Sequence, residues 1–415
     1  MSQQGLMRSV LVPLPPVNWG GLQAFAANLN AGLQEAGWCW KVVVPPEATE
    51  VQQRLCEAGV DVLSLPLARF RRKPMLTLKA LASLPGNIRS LAKRPEAAEA
   101  SIVQAVGAHH FHGALLAAKL RKPLVWQIHS SILPRAARRA VAPIISRRAD
   151  AIMTNGRAVA KAFWGKESLG TGHFVFYAPV DTNLYAPNPQ ARAAARHELG
   201  CREDDVLVGT VGNRVWQKNH RFLLDAAVEL APLYPRLRFL VLGAPFDQYC
   251  KEYAETVERP AAKLNESRPD YIRFIKPGNR VGYWLHALDI FTLTSHAEGV
   301  PIALCEAMSA GKPVVSVNVG SIAEIVDEGR TGFLYCPQDL RMLTNRVETL
   351  FQDRLLRESM GATGRAHILR EFSLKRVVEA HVQAYEEAIA VFRENRRINK
   401  RSVLSPPVQA PKENA

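Results

Sequence analysis

The sequence predicts an α/β protein with two similar halves, each a parallel sheet covered by helices. Short apolar stretches alternate with segments of helical periodicity along most of the chain, a pattern typical of repeated strand–helix–strand units. The chain has 415 residues, more than one hydrophobic core usually fills, so we expect two domains. A hydrophobic content of 47% and a charged content of 22% are those of an ordinary globular protein.

The first half opens with a predicted strand at residues 9–12, a Pro/Gly-rich loop and a helix over residues 22–36. Gly20 and Gly21 lie at this strand-to-helix turn. Glycines there allow a phosphate to approach the backbone, although a plain turn is the commoner explanation. Further strands are predicted at 41–44, 60–65, 101–106, 123–128, 149–154 and 174–177, with helices at 77–91 and 113–120.

Histidines follow two of these strands. His129 comes directly after the strand at 123–128, at the strand end where open α/β sheets bind ligands. His109, His110 and His112 follow the strand at 101–106. Because no acidic residue lies nearby in sequence, contact with an acceptor or with solvent is favoured over a metal site.

The second half follows a proline-rich linker at residues 187–189. The composition predicts a basic, mostly disordered tail over residues 393–415. Between the linker and this tail, the sequence predicts strands at 206–211, 237–242, 271–275, 289–295 and 314–317 and helices at 191–203, 222–230, 281–287, 340–351 and 353–369.

Residues 296–326, HAEGVPIALCEAMSAGKPVVSVNVGSIAEIV, carry the strongest functional signal. A strand leads into a tight turn at Glu298 and Gly299, and Pro301 then opens a helix that Gly311 is placed to end. The free amides at a helix start bind phosphate, here those of Val300, Ile302 and Ala303. Glu306 lies eight positions after Glu298. Either carboxylate alone suits a turn or a helix cap, but two beside a phosphate site suit a nucleotide-sugar.

Four segments resemble one family. EGVPIALCE matches the E-x7-E signature of retaining glycosyltransferases with the GT-B fold, and AMSAGKPVVSVNVGSIAEIV continues the same pattern. APVDTNLYAP at 178–187 resembles the family's nGVDtxxF.P junction, with Ala178-Pro179 in place of Asn-Gly. GNRVWQKN at 212–219 resembles VGRxxxxKN, with Lys218 aligned, Asn213 at the arginine position and Arg214 one residue late. The chain is thus identified as a member of the family-4 type, glycosyl transferases group 1.

This resemblance implies the GT-B fold, two Rossmann-like domains with a cleft between them. Residues 1–184 would form the acceptor-binding domain and residues 185–371 the nucleotide-sugar-binding domain. Residues 372–392 would form a helix that crosses back to the first domain. In relatives, backbone around the turn at 277–280 holds the nucleotide base.

The resemblance also implies the roles of site residues. Glu298, His129 and Lys218 are the expected catalytic residues, with Glu298 on the hydroxyls of the donor sugar and His129 approaching that sugar. Glu306 is expected to hold the ribose. The leaving diphosphate is expected to bind Lys218 and the turn residues, with Arg214 either reaching the phosphate or leaving Lys218 as the single cation. The remaining expected donor-binding residues are Gly21, Gly299, Val300, Pro301 and Ile302.

The implied reaction needs no metal or other cofactor, and the sequence has no DxD-type acidic pair where one would be needed. A donor phosphate oxygen is expected to take the acceptor proton in a front-face displacement that retains the anomeric configuration. Glu298 as a covalent nucleophile is the alternative. Closure of the cleft would exclude water and protect the donor from hydrolysis.

The net charge of +15 is unevenly distributed. Residues 1–180 hold 22 Lys/Arg and 9 Asp/Glu, a net charge of +13. The remainder holds 31 Lys/Arg and 29 Asp/Glu, a net charge of +2. The densest clusters are residues 69–73 and 135–139, with Arg147 and Arg148 beyond. A strongly basic first half indicates an anionic partner, such as a membrane surface, an acidic glycan or nucleic acid. Each cluster alone is also typical of a solvated face.

The expected function is transfer of a hexose from a UDP- or GDP-sugar to a hydroxyl of a cell-surface glycan or lipid-linked acceptor, in lipopolysaccharide or exopolysaccharide biosynthesis. One alternative is a small soluble acceptor. Another is a non-catalytic nucleic-acid-binding protein, but charge alone suggests it, without a recognition motif, so no nucleic-acid partner is expected.

The expected location is the cytoplasm, peripheral on the inner face of the cell membrane. Prolines interrupt the first residues and indicate no signal peptide. The six cysteines are scattered, as in a reduced protein. No apolar run approaches the roughly 20 residues that span a bilayer.

Overall fold

The computed structural model describes residues 7–68, 74–245 and 250–404. Two parallel sheets form, one from each half of the chain, which confirms the predicted α/β fold with two Rossmann-like domains. The predicted basic cluster at 69–73 lies outside the described residues, as do residues 405–415 of the predicted tail.

Within the described residues, the first domain contains a sheet of seven parallel strands. They are Arg8–Pro13 (β1), Trp38–Val44 (β2), Asp61–Ser64 (β3), Ile102–Val106 (β4), Leu124–Ile128 (β5), Ala151–Asn155 (β6) and His173–Phe176 (β7). The order β3-β2-β1-β4-β5-β6-β7 changes direction between β1 and β4. Ligands of open α/β sheets bind at the carboxyl ends of strands beside such a change.

Helices cover both faces of this sheet, so its central strands are apolar along their whole length. Every residue of β4, β5 and β6 is buried. One core includes Phe25 and Trp40, and the core on the other face includes Leu11 and Trp126. The helices of this domain are Gly21–Glu35 (α1), Thr49–Glu57 (α2), Pro74–Ala92 (α3), Pro95–Glu99 (α4), His112–Leu120 (α5), Arg135–Arg148 (α6) and Arg157–Trp164 (α7).

The second domain repeats this plan with six parallel strands among the described residues. They are Val206–Val211 (β8), Leu237–Leu242 (β9), Ile272–Ile275 (β10), Ile290–Leu293 (β11), Val314–Val317 (β12) and Gly332–Tyr335 (β13). The order β10-β9-β8-β11-β12-β13 changes direction between β8 and β11. Its helices are Pro189–Glu198 (α8), His220–Leu230 (α9), Cys250–Tyr253 (α10), Arg259–Ser267 (α11), Val281–Ala287 (α12), Ile302–Ser309 (α13), Leu340–Gln352 (α14) and Arg354–Glu371 (α15).

The last helix, Leu374–Leu404 (α16), returns to the first domain and packs on α1 and on β5, β6 and β7. Polar contacts anchor it: Trp40 Nε1 donates to the Tyr385 hydroxyl at 2.7 Å, and that hydroxyl donates to Gln104 Oε1 at 2.9 Å. The sequence predicted a helix over 372–392 and disorder beyond, but the helix continues to Leu404. None of the helices in the described ranges is long and apolar enough to cross a bilayer.

Candidate active site

Two loops of the second domain lie side by side at the carboxyl ends of β8 and β11, where the strand order changes direction. Gln217 Nε2 donates to the Ala297 carbonyl at 2.8 Å, and the His296 amide donates to the Gln217 carbonyl at 2.9 Å. The Thr294 hydroxyl donates a hydrogen bond to the Lys218 carbonyl at 3.0 Å. These contacts fix the loop at 212–219 against the loop at 294–301.

Lys218 and Glu298 meet where the two loops join. The Lys218 ammonium lies 2.7 Å from Glu298 Oε1, and the two side chains are only 22% and 8% exposed. The methylene groups of Lys218 pass close to Gly212, where an added Cβ would lie 3.0 Å from them. On the other side, Gly320 packs on the Glu298 carbonyl with a φ of +61°, and a Cβ there would lie 2.1 Å from that oxygen. A cation and a carboxylate predicted for the site thus form one partly buried ion pair.

Helix α13 begins directly after this loop. Pro301, predicted as the first helical residue, is instead the N-cap, so the helix begins one residue later, at Ile302; Pro301 supplies no side-chain cap. At the other end Gly311 has a φ of +70°, and its amide donates to the Met308 carbonyl at 3.0 Å. The Lys312 amide donates to the Ala307 carbonyl, also at 3.0 Å, which completes a Schellman motif. Gly311 therefore ends the helix, as predicted.

Glu306 is buried within α13, and its Oε1 accepts a hydrogen bond from the Tyr185 hydroxyl at 2.7 Å. Tyr185 belongs to the segment that joins the two domains. Burial raises the pKa of Glu306 to about 7, although the hydrogen bond from Tyr185 acts in the opposite direction. The carboxylate is thus preorganised, but its ionisation is sensitive to its one tyrosine contact.

The first domain reaches the start of α13 through Asn155, the last residue of β6. Asn155 Oδ1 accepts a hydrogen bond from the Val300 amide at 2.5 Å. Beside it, a Cβ on Gly299 would lie 1.8 Å from the His129 carbonyl oxygen and 2.6 Å from Asn155 Oδ1. Gly299 is therefore required by the close approach of first-domain backbone. The Val300 amide, predicted as a phosphate donor, is bonded to Asn155 in this arrangement.

A second contact between the domains caps helix α7. The carboxylate of Glu324 accepts hydrogen bonds from the amides of Arg157 and Ala158 at 2.9 and 2.8 Å, and from the Tyr177 hydroxyl at 3.1 Å. The residue at the N-cap of α7 is Gly156, which has no side chain to do this. A carboxylate at a helix N-terminus is stabilising. Glu324, from the second domain, therefore acts as the cap of a first-domain helix.

His129 is held between aromatic rings at the end of β5. Its ring contacts Phe25 and Phe176 edge to face, with centroid distances of 5.0 and 5.2 Å. Burial, with a smaller effect from His381, lowers the pKa of His129 to about 3, so its imidazole is neutral at physiological pH. Its carbonyl faces Gly299. His129 thus lies next to the Glu298 loop, and its contact with a donor sugar stays a prediction.

Gly21 and Arg214 have different surroundings. Gly21 is the first residue of α1, and a Cβ there would meet no atom within 4 Å. The neighbouring loop does touch the second domain, since Asn213 Nδ2 donates to the Trp19 carbonyl at 2.7 Å. The Arg214 guanidinium pairs with Glu258 at 2.6 Å and donates to the Gly243 carbonyl at 3.1 Å. Lys218, rather than Arg214, is the cation in contact with Glu298.

The histidines after β4 form a partly buried cluster. The rings of His109 and His110 lie 4.0 Å apart between centroids, and burial lowers the pKa of both. Burial also lowers the pKa of His112, to about 4. In the part of the chain that the structure describes, no three His, Cys, Asp or Glu side chains are placed to share a metal ion.

Sequence reasoning missed three residues of the site: Asn155, Tyr185 and Glu324. Asn155 ends a strand on the same sheet edge as His129, and that position was a usable signal. Tyr185 stands at the phenylalanine position of the nGVDtxxF.P pattern, and Glu324 lies in the AEIV segment of the matched stretch. Their partners lie 121 to 167 positions away, which no local pattern reveals.

Two family models match this chain. Residues 191–367 match "Glycosyl transferases group 1", and residues 20–165 match "Glycosyl transferase 4-like domain". The two regions correspond to the second and first domains described above.

Curated relatives share between a quarter and a third of the aligned residues. The lipopolysaccharide core biosynthesis mannosyltransferase LpsB of Rhizobium meliloti is 28% identical over 58% of this chain and 66% of its own length. The D-inositol 3-phosphate glycosyltransferase of Kribbella flavida is 29% identical over 50% of this chain and 49% of its own length. The D-inositol 3-phosphate glycosyltransferase of a Nocardioides species is 26% identical over 90% of this chain and 87% of its own length. The alignments thus span about half to two thirds of the first two relatives and most of the third.

Solved structures share the fold. Anabaena Alr3699/HepE in complex with UDP and glucose superposes with a TM-score of 0.77 at 19% identity, over 91% of this chain and 99% of that one. Sucrose-phosphate synthase of Thermosynechococcus elongatus superposes with a TM-score of 0.73 at 16% identity, over 92% of this chain and 99% of that one. The fold and the two matched domains define a glycosyltransferase of the GT-B class. The chain belongs to the family-4 type of these enzymes, the glycosyl transferases group 1, as the E-x7-E resemblance predicted.

Proposed function

We propose that this enzyme is a retaining, metal-independent hexosyltransferase that uses a UDP- or GDP-sugar. The observation that carries the proposal is the contact of Lys218 with Glu298, 2.7 Å apart, beside the start of α13. A cation next to a helix N-terminus favours a diphosphate, and a buried carboxylate accepts hydrogen bonds from sugar hydroxyls. The Anabaena protein of the same fold forms complexes with UDP and with UDP-glucose, which supports this donor class.

In the proposed reaction, the bond between sugar C1 and the diphosphate oxygen breaks. The acceptor oxygen bonds to C1 on the same face, so the anomeric configuration is retained. The acceptor proton passes to an oxygen of the departing phosphate, and the nucleoside diphosphate is the second product. The alternative is a reaction through a covalent intermediate, in which the sugar is bonded to Glu298 before it passes to the acceptor.

Each residue then has a defined task. Lys218 and the amides at Val300 and Ile302 stabilise the charge that develops on the diphosphate. Glu298 orients the sugar hydroxyls, and Glu306 accepts hydrogen bonds from the ribose. His129, neutral because its pKa is about 3, contributes a hydrogen bond rather than a charge.

For the acceptor, we propose a cell-surface glycan or a lipid-linked intermediate of lipopolysaccharide or exopolysaccharide synthesis, reached by a cytoplasmic enzyme at the inner face of the membrane. The relative LpsB is a lipopolysaccharide core mannosyltransferase. Helix α6 contains no acidic residue and supports contact with an anionic membrane. Its exposed arginines and the nearby exposed isoleucines are Arg135, Arg139, Arg147, Arg148, Ile132 and Ile144.

A small soluble acceptor is the second candidate, and the D-inositol 3-phosphate glycosyltransferases among the relatives favour it. An anionic acceptor of that kind would also suit the basic first domain. Sedimentation with anionic liposomes separates the two, since a soluble acceptor requires no lipid binding. The nucleic-acid-binding alternative rested on charge alone, and both family matches are to glycosyltransferase domains.

The test is turnover of UDP-glucose and GDP-mannose, followed by release of the nucleoside diphosphate and by NMR of the product's anomeric proton. We expect Glu298→Gln and Lys218→Met each to lower turnover by about 10²-fold or more, as loss of a charge-stabilising group does. Lys263→Met, which removes an exposed cation elsewhere in the second domain, is the matched control. An inverted product, or full activity in Lys218→Met, would contradict the proposal.

A further inference from the structure

The hydrogen bond between Tyr185 and Glu306 joins a residue of the connecting segment to the carboxylate of α13. The hydroxyl lies 2.7 Å from Glu306 Oε1, and both residues are less than a tenth exposed. Within the described ranges, no other hydrogen-bond donor to Glu306 is present. One oxygen of the carboxylate is therefore occupied, and the other remains for a further partner.

The ring of Tyr185 also contacts α12. A Cβ added to Gly282 would lie 3.4 Å from Tyr185 Cε1, so the ring packs on the first turn of that helix. Helix α12 follows the turn at residues 277–280. Tyr185 thus lies between the turn expected to hold the base and the carboxylate expected to hold the ribose.

Burial and nearby charged groups shift the pKa values of Tyr185 and Glu306. Burial, followed by the charge of Glu306, raises the pKa of Tyr185; Asp181, in the same segment, adds a smaller rise, and Arg54, from α2 of the first domain, opposes it. Arg54 is itself stacked on the Trp19 ring at 3.8 Å and lies 3.6 Å from Glu50. For Glu306, burial dominates and raises its pKa to about 7, while the tyrosine hydrogen bond opposes that rise. The neighbouring Cys305 thiol has a raised pKa, mainly through burial, and stays neutral.

We propose that Tyr185 is a positioning residue for the nucleotide-sugar: its hydroxyl keeps the buried Glu306 ionised and turns the free carboxylate oxygen toward the ribose. The inference rests on the proposed function, because the ribose is the ligand it assigns to Glu306. A phenylalanine, which the family pattern has at this position, would fill the same space without the hydroxyl.

A definite pH dependence follows. An ionised carboxylate accepts two hydrogen bonds from neighbouring ribose hydroxyls, whereas a protonated one offers a competing donor. Donor binding should therefore weaken as the pH falls through the pKa of Glu306. Loss of a hydrogen bond to a charged group shifts a pKa by about one unit or more, so Tyr185→Phe should move the midpoint upward by about one pH unit.

The experiment has two arms, and the first needs no nucleotide. Side-chain carboxyl ¹³C signals of the full chain, labelled on glutamate, are titrated by NMR, and Glu306→Gln identifies the Glu306 signal. Tyr185→Phe should raise the Glu306 midpoint by about one unit. Tyr335→Phe is the matched control, because the buried Tyr335 hydroxyl donates to the Leu293 carbonyl at 2.9 Å, a group that does not titrate. An equal midpoint in wild type and Tyr185→Phe would overturn the proposal.

The second arm measures binding of UDP-glucose and GDP-mannose by calorimetry between pH 6 and pH 9. These donors are used because their diphosphates do not titrate in this range. Tyr185→Phe should bind nearly as well as wild type at pH 9, about fivefold more weakly at pH 7 and about tenfold more weakly at pH 6, because the ionised fraction of Glu306 falls by these factors when its pKa rises from about 7 by about one unit. A loss that is equal at every pH would show only a packing role and would overturn the proposal. If wild type binds neither donor at any pH, the proposed function fails, while the carboxyl titration still decides whether Tyr185 controls Glu306.

Discussion

Asn155 in the first domain and Val300 in the second are joined by a hydrogen bond of 2.5 Å, from the Val300 amide to the Asn155 side-chain oxygen. The same amide is among those expected to bind the donor diphosphate. A phosphate oxygen that binds Val300 therefore has to replace Asn155. If the Val300 amide binds the diphosphate as proposed, the contact couples the relative position of the two domains to donor binding.

We expect Asn155→Ala to tighten the binding of UDP-glucose or GDP-mannose by about fivefold. A neutral hydrogen bond contributes about 1 kcal/mol net, and the variant no longer has to break it. Isothermal calorimetry measures the change, with Asn345→Ala on α14 as the control. Weaker binding in Asn155→Ala would mean that Asn155 contacts the donor itself.

Glu324→Ala should loosen the start of α7. The variant removes a carboxylate that caps the amides of Arg157 and Ala158, a loss of about 1 kcal/mol. Hydrogen exchange followed by mass spectrometry should show about fivefold faster exchange in the peptide that covers α7. Glu266→Ala, an exposed glutamate on α11, is the control. Unchanged exchange at α7 would show that Glu324 does not hold the two domains together in solution.

Glu306→Gln should stabilise the protein at alkaline pH. Burial raises the folded-state pKa of Glu306 from 4.5 to about 7, so the unfolded chain loses its proton first. The destabilisation is absent below pH 4.5, grows between pH 4.5 and 7, and is complete above pH 7. We expect the variant to gain about 1–3 kcal/mol in free energy of unfolding at pH 8.

Urea unfolding between pH 5 and pH 8 measures this gain, which should shrink steadily toward pH 5. Glu266→Gln, at an exposed position, should show no such pH dependence. A constant difference across this range would contradict the raised pKa of Glu306. Because the same substitution should abolish donor binding, the site is predicted to sacrifice stability for function.

Arg139→Ala combined with Arg147→Ala should weaken binding to liposomes that contain anionic lipid. Each arginine near such a surface contributes about 1 kcal/mol, so the double variant should bind roughly 30-fold more weakly. Arg259→Ala combined with Arg341→Ala removes two exposed arginines of the second domain and is the control. Equal loss in both pairs would show that α6 does not form the membrane contact.

Local patterns were sufficient for most strands and several helices. The strands Val206–Val211, Leu237–Leu242 and Val314–Val317 begin and end where the sequence predicted, because each is an apolar run bounded by turn residues. Helix α6 was not predicted, because its arginines were interpreted only as a basic cluster and Pro143 interrupts the helical pattern. Burial of Val141, Ala142 and Ile145 in the first-domain core, beside α7, stabilises this helix.

The candidate site was predicted only in part, for a physical reason. Glu298, Lys218, Glu306 and His129 lie in recognisable motifs, and the loops that carry Lys218 and Glu298 do meet. The roles of Asn155 and Glu324 depend on contacts across the cleft that exist only once both sheets have formed. Likewise, the sequence offered Arg214 as a phosphate ligand but could not show its ion pair with Glu258.

The central claim is that Lys218, Glu298, Glu306 and the start of α13 bind a nucleotide-sugar. The most direct measurement is a thermal-shift screen of UDP, GDP and ADP and their common sugar derivatives on wild type and on Glu306→Ala. A ligand that binds the folded state raises the melting temperature by mass action. We predict a shift with one nucleotide class that Glu306→Ala abolishes. No shift with any nucleotide, or an equal shift in Glu306→Ala, would contradict the account.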